Sequence, residues 1–277
     1  MKRLPIRLVS VLLLTGFLAW CLAPLWWQFV TSLKSDAEIT TVPPTYWPHR
    51  LTTDHYAALF ERRPFGRYLW NSFFISTGAT LLCLAVATPA AYSLARLRPK
   101  GGRAVAALLI AVSLFPAITF FFPLYEMVRF LGLANHPISL IVPYATFNLP
   151  LAVLFLVAFF RTIPPAIEEA GLMDGLGRLG ILTRLILPLS APGLATTAIL
   201  VFIASWNEFL LALTFLPRDE ARTVTVAIAS LSGGSIYELP WGQIGAAILL
   251  SAAPLLVLVA FFQRRIVAGL TQSATTG

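Results

Sequence analysis

Polar and apolar positions along this chain do not alternate; apolar residues run together in long blocks between short charged segments. Six blocks reach the length needed to cross a bilayer as a helix, about 20 residues. They are 8–33, 68–95, 104–125, 137–160, 185–216 and 239–263, and Glu208 in the fifth is the single charge within them. Barrel strands of about 10 alternating residues are absent, so the expected spans are helical. Each block carries proline, with Pro24, Pro89, Pro116, Pro143, Pro192 and Pro254 among them. Bundled membrane helices accept proline because neighbouring groups satisfy the freed carbonyls. The pattern therefore predicts an all-α membrane protein, residues 1–277 forming a single domain of six kinked transmembrane helices.

Composition supports this. Of 277 residues, 58% are hydrophobic and 12% charged, where soluble domains carry about 25% charged residues. A chain so poor in charge cannot cover a water-facing surface. The first block follows Lys2, Arg3 and Arg7, and Leu18-Ala19-Trp20-Cys21 faintly resembles a lipoprotein cleavage box. Trp20 is too large for the small residue such a box requires, and the block outruns a signal core of about 7–15 residues. It is read as an uncleaved span. Cys21 and Cys83 lie in apolar blocks, which indicates neither a disulfide nor a metal framework.

The net charge of +8 then becomes a question of sides. With the N-terminus inside, the inner segments hold 12 basic residues against Glu168, Glu169 and Asp174, and the outer segments hold eight of each sign. A basic excess confined to one side is what cytoplasmic loops show. Trp26, Trp27, Tyr68, Trp70, Tyr125 and Trp241 fall at outer ends of spans, in keeping with an aromatic belt. Both termini are expected in the cytoplasm of a bacterial inner membrane, and no basic stripe is left for nucleic acid.

One inner segment is more than a connector. Residues 96–103 have the length of an ordinary bundle loop, but 161–184 is far longer than the 2–8 residues usual there. Pro164-Pro165 can open a helix, Glu168 and Glu169 complement its dipole, Ala170, Leu172 and Met173 extend it, and Asp174-Gly175 reads as a turn. A second helix is predicted over 178–187, ending before Pro188. This helix–turn–helix suits either an interfacial hairpin resting on lipid headgroups or a docking element for a soluble partner.

The stretch Glu169-Ala170-Gly171-Leu172-Met173-Asp174-Gly175, followed by Leu185-Ile186-Leu187-Pro188, resembles the EAA loop of binding-protein-dependent ABC importers. The spacing agrees throughout. Gly171 stands where the family has alanine, and Leu185 where it has isoleucine. The segments 68–72, 123–125, 206–210 and 262–271 are similar to those of carbohydrate permeases, in particular the smaller six-span subunit of maltose- and trehalose-type importers; the tail 272–277 departs from the family's usual ending. The resemblance implies a translocation path shared with a second permease, two nucleotide-binding ATPase subunits holding ATP and Mg, and an extracytoplasmic sugar-binding protein. It implies that the helix around Glu168, Glu169 and Gly175 inserts into an ATPase cleft as a lever.

The chain's own chemistry is sparse. Its three lysines, Lys2, Lys34 and Lys100, end no phosphate-cradling glycine loop, and no serine sits in a nucleophile elbow. His49, His55 and His136 lack metal-ligand spacing and are read as solvated loop residues. No cofactor is expected in this chain, and it is read as non-catalytic. Glu208, with Asn207 and Trp206, could form a polar path for a sugar with Trp206 as a stacking face, or a structural hydrogen bond to another helix or the second permease. Asn71 and Asn148 are weaker candidates for the path. The outer loop with Gly233, Gly234, Ser235 and Tyr237 could reach a docked binding protein, and the first outer loop, 34–67, is expected to pack against the second permease. Two alternatives stand beside a disaccharide importer. A self-sufficient secondary transporter would carry an inverted repeat and intramembrane charge pairs, and a related importer could take a non-sugar solute such as glycerol phosphate.

Overall fold

A backbone surrounded by lipid must satisfy its own polar groups, which a helix does within one segment. The computed structural model describes the backbone of residues 3–231 and 239–274 and the side chains of 8–231 and 239–262, and all regular structure among these residues is helical. In chain order the α-helices are α1 (Arg3–Ser32), α2 (Asp36–Ile39), α3 (Asp54–Glu61), α4 (Phe65–Tyr92), α5 (Gly102–Ser113), α6 (Phe121–Phe130), α7 (Ile138–Thr162), α8 (Pro165–Met173), α9 (Arg178–Ile181), α10 (Leu187–Leu189), α11 (Ala191–Trp206), α12 (Leu210–Phe215), α13 (Val224–Leu231) and α14 (Trp241–Ala274). A π-helical turn, Ser93–Leu97, extends α4, and another, Leu182–Ile186, joins α9 to α10.

Four stretches are long and apolar enough to cross a membrane unbroken: Leu8–Ser32, Phe65–Leu97, Ile138–Thr162 and Trp241–Phe262. The other two blocks are pairs of helices that meet at a sharp bend, and with each pair as one span the total reaches six. Gly102–Ser113 meets Ala117–Phe130 at 88°, and Arg178–Leu189 meets Ala191–Trp206 at 80°. Pro116 disfavours helical geometry at Phe115 and so ends α5. Pro192 falls in the first turn of α11, where its missing N–H costs nothing and a new helix can start. The 185–216 block breaks again after Trp206 and resumes as α12. The helix expected to stop before Pro188 instead runs through it to Leu189. The π-turn makes this possible: Leu187 N–H bonds the Leu182 carbonyl, shifting the hydrogen-bond register beside the residue that has no N–H to offer.

The chain divides into two units, residues 1–66 with 227–254, and 67–226 with 255–277. In the first, residues 34–55 are folded on themselves. Lys34, only 2% exposed, donates its amine to the Thr45 carbonyl and lies 4.9 Å from the Trp27 ring centroid. Glu38 accepts from Thr45 Oγ1 at 2.8 Å and from the His49 N–H at 3.0 Å. That backbone N–H holds its carboxyl below the usual range, against the opposing effect of burial. His55 is buried rather than solvated, its Nε2 lying 2.7 Å from the Lys34 carbonyl oxygen; His49 and His136 are exposed.

In the second unit, α4 and the π-turn that extends it present a stripe of small residues every fourth position, Ala79, Cys83, Ala87, Ala91 and Ala95, all buried. Apolar side chains gain little by leaving lipid, so membrane helices associate through close van der Waals contact, which small residues allow. Ala87, Ala91 and Ala95 join Leu156, Phe160 and Val153 of α7, Ile181 of α9, Ile186 of the π-turn and Val201 of α11 in one core cluster. A second cluster joins Ile75 and Ala79 to Leu140 and Tyr144 of α7, Val128 of α6 and Phe215 of α12. α7 is common to both.

Candidate functional site

The charged helix–turn–helix between α7 and α11 is where the sequence places most of its unexplained chemistry. α8 opens at Pro165 with Glu168 in its first turn. It closes at Gly175, whose φ of +80° suits glycine. Gly175 N–H bonds the Leu172 carbonyl at 3.0 Å, and Leu176 N–H bonds the Gly171 carbonyl at 2.9 Å. This pair of bonds is the Schellman arrangement, which satisfies the last carbonyls of the helix.

One side of α8 is fixed to the rest of its unit. Glu168 Oε1 lies 2.9 Å from Arg96 Nε, with the two side chains 18% and 9% exposed. A second Arg96 nitrogen donates to the carbonyl of Ile163, 67 residues away in sequence. Glu168 is therefore an ion-pair partner and not a solvated acid, and 96–103 is more than a connector. Arg96 is the charged partner that sequence reading missed. Its position just beyond an apolar block, the end of a span, marks it as a loop base, and nothing in the pattern pairs it with Glu168.

The opposite side of α8 is open. Glu169, Ala170, Asp174 and Gly175 are exposed. Leu172 is 57% exposed, Met173 88%, and Leu179 beyond the turn 74%. Gly171 alone of residues 169–175 is buried, and a Cβ there would lie 2.6 Å from Leu185 Cδ1. The structure thus yields a short capped helix held by a buried ion pair at its base, with an apolar and acidic tip facing outward. Such a body can take up a push at the tip and pass it through Arg96 to α4 and through Ile163 to the end of α7. Pro188 lies in α10 on the return from this loop and is exposed.

The residues around the α11–α12 break are brought together differently. Glu208 is outside any helix, and its carboxylate caps α12, accepting from Leu211 N–H at 2.8 Å and Ala212 N–H at 3.2 Å. Tyr144 of α7 donates its hydroxyl to the same carboxylate at 2.5 Å, and Thr225 Oγ1 donates to the Glu208 carbonyl at 2.9 Å. Trp206 is 2% exposed and stacks on Phe202 at 5.6 Å, so its ring faces the protein interior. Asn207 is exposed and donates to the Ile203 carbonyl, and Asn148 donates to the Tyr144 carbonyl. Asn71 donates to the carbonyls of Glu220 and Arg222, each at 3.0 Å. Asn71, Asn148, Asn207 and Glu208 thus each bond their own chain, whereas the buried Trp206 Nε1 has no hydrogen-bond partner among the described residues. Gly233, Gly234, Ser235 and Tyr237 lie outside the described residues. Among the described residues, no cluster of His, Cys, Asp or Glu has the makings of a metal site.

Known proteins resemble the chain over nearly all its length. The family described as binding-protein-dependent transport system inner membrane component matches residues 87–272. The sulfoquinovosyl glycerol transport system permease protein SmoH of Agrobacterium fabrum is 40% identical over 275 residues, 99% of this chain and 94% of that protein. The trehalose transport system permease protein SugB of Mycobacterium tuberculosis is 40% identical over 263 residues, 95% of each. Among solved structures, a bacterial ABC transporter involved in the import of the acidic polysaccharide alginate superposes with a TM-score of 0.80 at 24% identity, covering 94% of this chain and 95% of that one.

Proposed function

The chain belongs to the family of binding-protein-dependent transport system inner membrane components, and we propose that it is the smaller of two permeases in an ATP-driven importer of a trehalose- or maltose-class disaccharide. The permease relative of 40% identity that carries trehalose supports the substrate class. The observation that carries the mechanism is the latched α8, whose residues bear the EAA-type motif. In this reading Glu169, Leu172, Met173 and Asp174 enter a cleft on a separate ATPase subunit, two copies of which bind ATP and Mg. This chain hydrolyses nothing and holds no cofactor. Glu168 and Arg96 are positioning residues that make α8 and the end of α4 move together when the ATPase closes.

The second permease completes the translocation path, and an extracytoplasmic sugar-binding protein delivers the solute, with Gly233, Gly234, Ser235 and Tyr237 as its contact loop. The Arg96–Glu168 end of the spans faces the cytoplasm, as do both termini, in accord with the confinement of the basic excess to that side. Asn71, Asn148, Trp206, Asn207 and Glu208 shape the path by fixing its helices rather than by touching sugar.

In a reconstituted importer, Arg96→Gln or Glu168→Gln is expected to lower sugar uptake about tenfold while ATP hydrolysis continues, the effect of a coupling change of ~1–2 kcal/mol. Glu169→Ala combined with Gly175→Asp is expected to abolish uptake. Unchanged uptake in that pair of substitutions would remove α8 from the mechanism.

A further inference from the structure

The same end of the spans carries a second group of arginines that the α8 contacts do not use. Arg98, Arg103 and Arg161 line a cavity of about 420 Å³ where the end of α4, the start of α5 and the last turn of α7 converge. Among the described residues none of the three forms an ion pair with a carboxylate, and no acidic residue lines the cavity. Arg98 has the left-handed φ of 46° that closes the π-turn. It is exposed, whereas Arg96 two residues earlier is engaged with Glu168 and Ile163. The cavity wall is apolar, formed by Leu94, Leu154 and Val157. Along α5 beyond it, Val105 and Leu108 are exposed.

We propose that this cavity binds the phosphate headgroup of an anionic phospholipid, with the three guanidiniums on the phosphate oxygens and an acyl chain along the apolar wall and α5. Guanidinium forks match phosphate oxygens in pairs, and basic pockets between membrane helices suit such headgroups. A soluble anion would satisfy the arginines and leave the apolar wall without a partner; a lipid satisfies both. The site needs only that this end of α4, α5 and α7 lies at a membrane surface, so it stands apart from any reading of what is transported.

The test places the full-length chain in phosphatidylcholine vesicles and compares spin-labelled phosphatidylglycerol with spin-labelled phosphatidylcholine at the protein surface. The wild-type chain is expected to prefer the anionic label about fivefold or more, the scale of one or more basic residues near a lipid surface. The triple substitution Arg98→Gln, Arg103→Gln, Arg161→Gln is expected to lose that preference. Substituting lysine at all three positions should keep most of it. Arg50→Gln, Arg62→Gln, Arg129→Gln removes as much charge elsewhere and should keep it in full. Millimolar inorganic phosphate should leave the preference intact. Loss of preference in the control triple, retention in the site triple, or displacement of the label by inorganic phosphate would each overturn the proposal. So would the absence of any preference in the isolated chain combined with weaker binding of the ATPase subunit by the site triple, which would assign the arginines to a protein contact.

Discussion

Gly171 and Leu185 are the two positions at which the motif-bearing stretch departs from its family pattern of alanine and isoleucine, and they meet in space. A Cβ at position 171 would come within 2.6 Å of Leu185 Cδ1. The leucine branch therefore occupies the room that glycine leaves, and the two departures compensate one another. Two opposed effects follow for Gly171→Ala: a gain in helix propensity of about 1 kcal/mol, and a steric cost moderated because the obstructing atom is the tip of a flexible side chain. We predict that Gly171→Ala alone changes unfolding free energy by less than about 0.5 kcal/mol. In a Leu185→Val background, which withdraws the obstructing carbon, it should stabilise by about 1 kcal/mol, a coupling in the range seen for touching residues. Denaturant unfolding of the four variants in detergent checks this, and additive effects would mean that the contact has no energetic weight. At this scale the sequence offered the motif spacing and the turn at Gly175. It could not offer the contact between 171 and 185, or the pairing of Arg96 with Glu168, because both depend on how distant segments are brought together.

Among the elements, the apolar blocks were legible as helices because lipid leaves the backbone no alternative, and the stripe at Ala79, Cys83, Ala87, Ala91 and Ala95 has a readable four-residue spacing. The breaks were less legible. Every block carries proline, yet Pro89 and Pro143 lie inside continuous helices whereas Pro116 and Pro192 stand at sharp bends. Local sequence does not separate these outcomes; the surrounding packing does. The same applies to Glu208, which the blocks place within a span and the structure places at a break. Its carboxylate satisfies the first N–H groups of α12 and receives the Tyr144 hydroxyl. Glu208→Ala leaves these donors without an acceptor, and a stability loss of about 1–3 kcal/mol is expected, read as a lower melting temperature. Glu208→Gln should lose less, because the amide oxygen still accepts. Sugar KM should be unaltered in the glutamine variant; a shifted KM with an unaltered melting temperature would instead place the carboxylate on the solute.

For the molecule as a whole, the distribution of charge carries the argument. A net charge of +8 on so apolar a chain says little until it is divided between the two sides. Divided, it leaves three acids on the basic side: Glu168 holds α8 to Arg96, while Glu169 and Asp174 stand exposed at the tip. The identity of the sugar was not legible, because Asn71, Asn148, Asn207 and Glu208 bond their own chain, Trp206 is buried, and together they present no set of groups shaped to one solute. In the proposed reading α8 is the lever and the ATPase is a separate chain, so transport depends on partners. The direct measurement is uptake of labelled trehalose into proteoliposomes containing this chain and its second permease, supplied with the sugar-binding protein, with and without the ATPase subunits and ATP. The account predicts accumulation only when ATPase subunits and ATP are both present; accumulation by the membrane subunits alone, driven by an ion gradient, would contradict it.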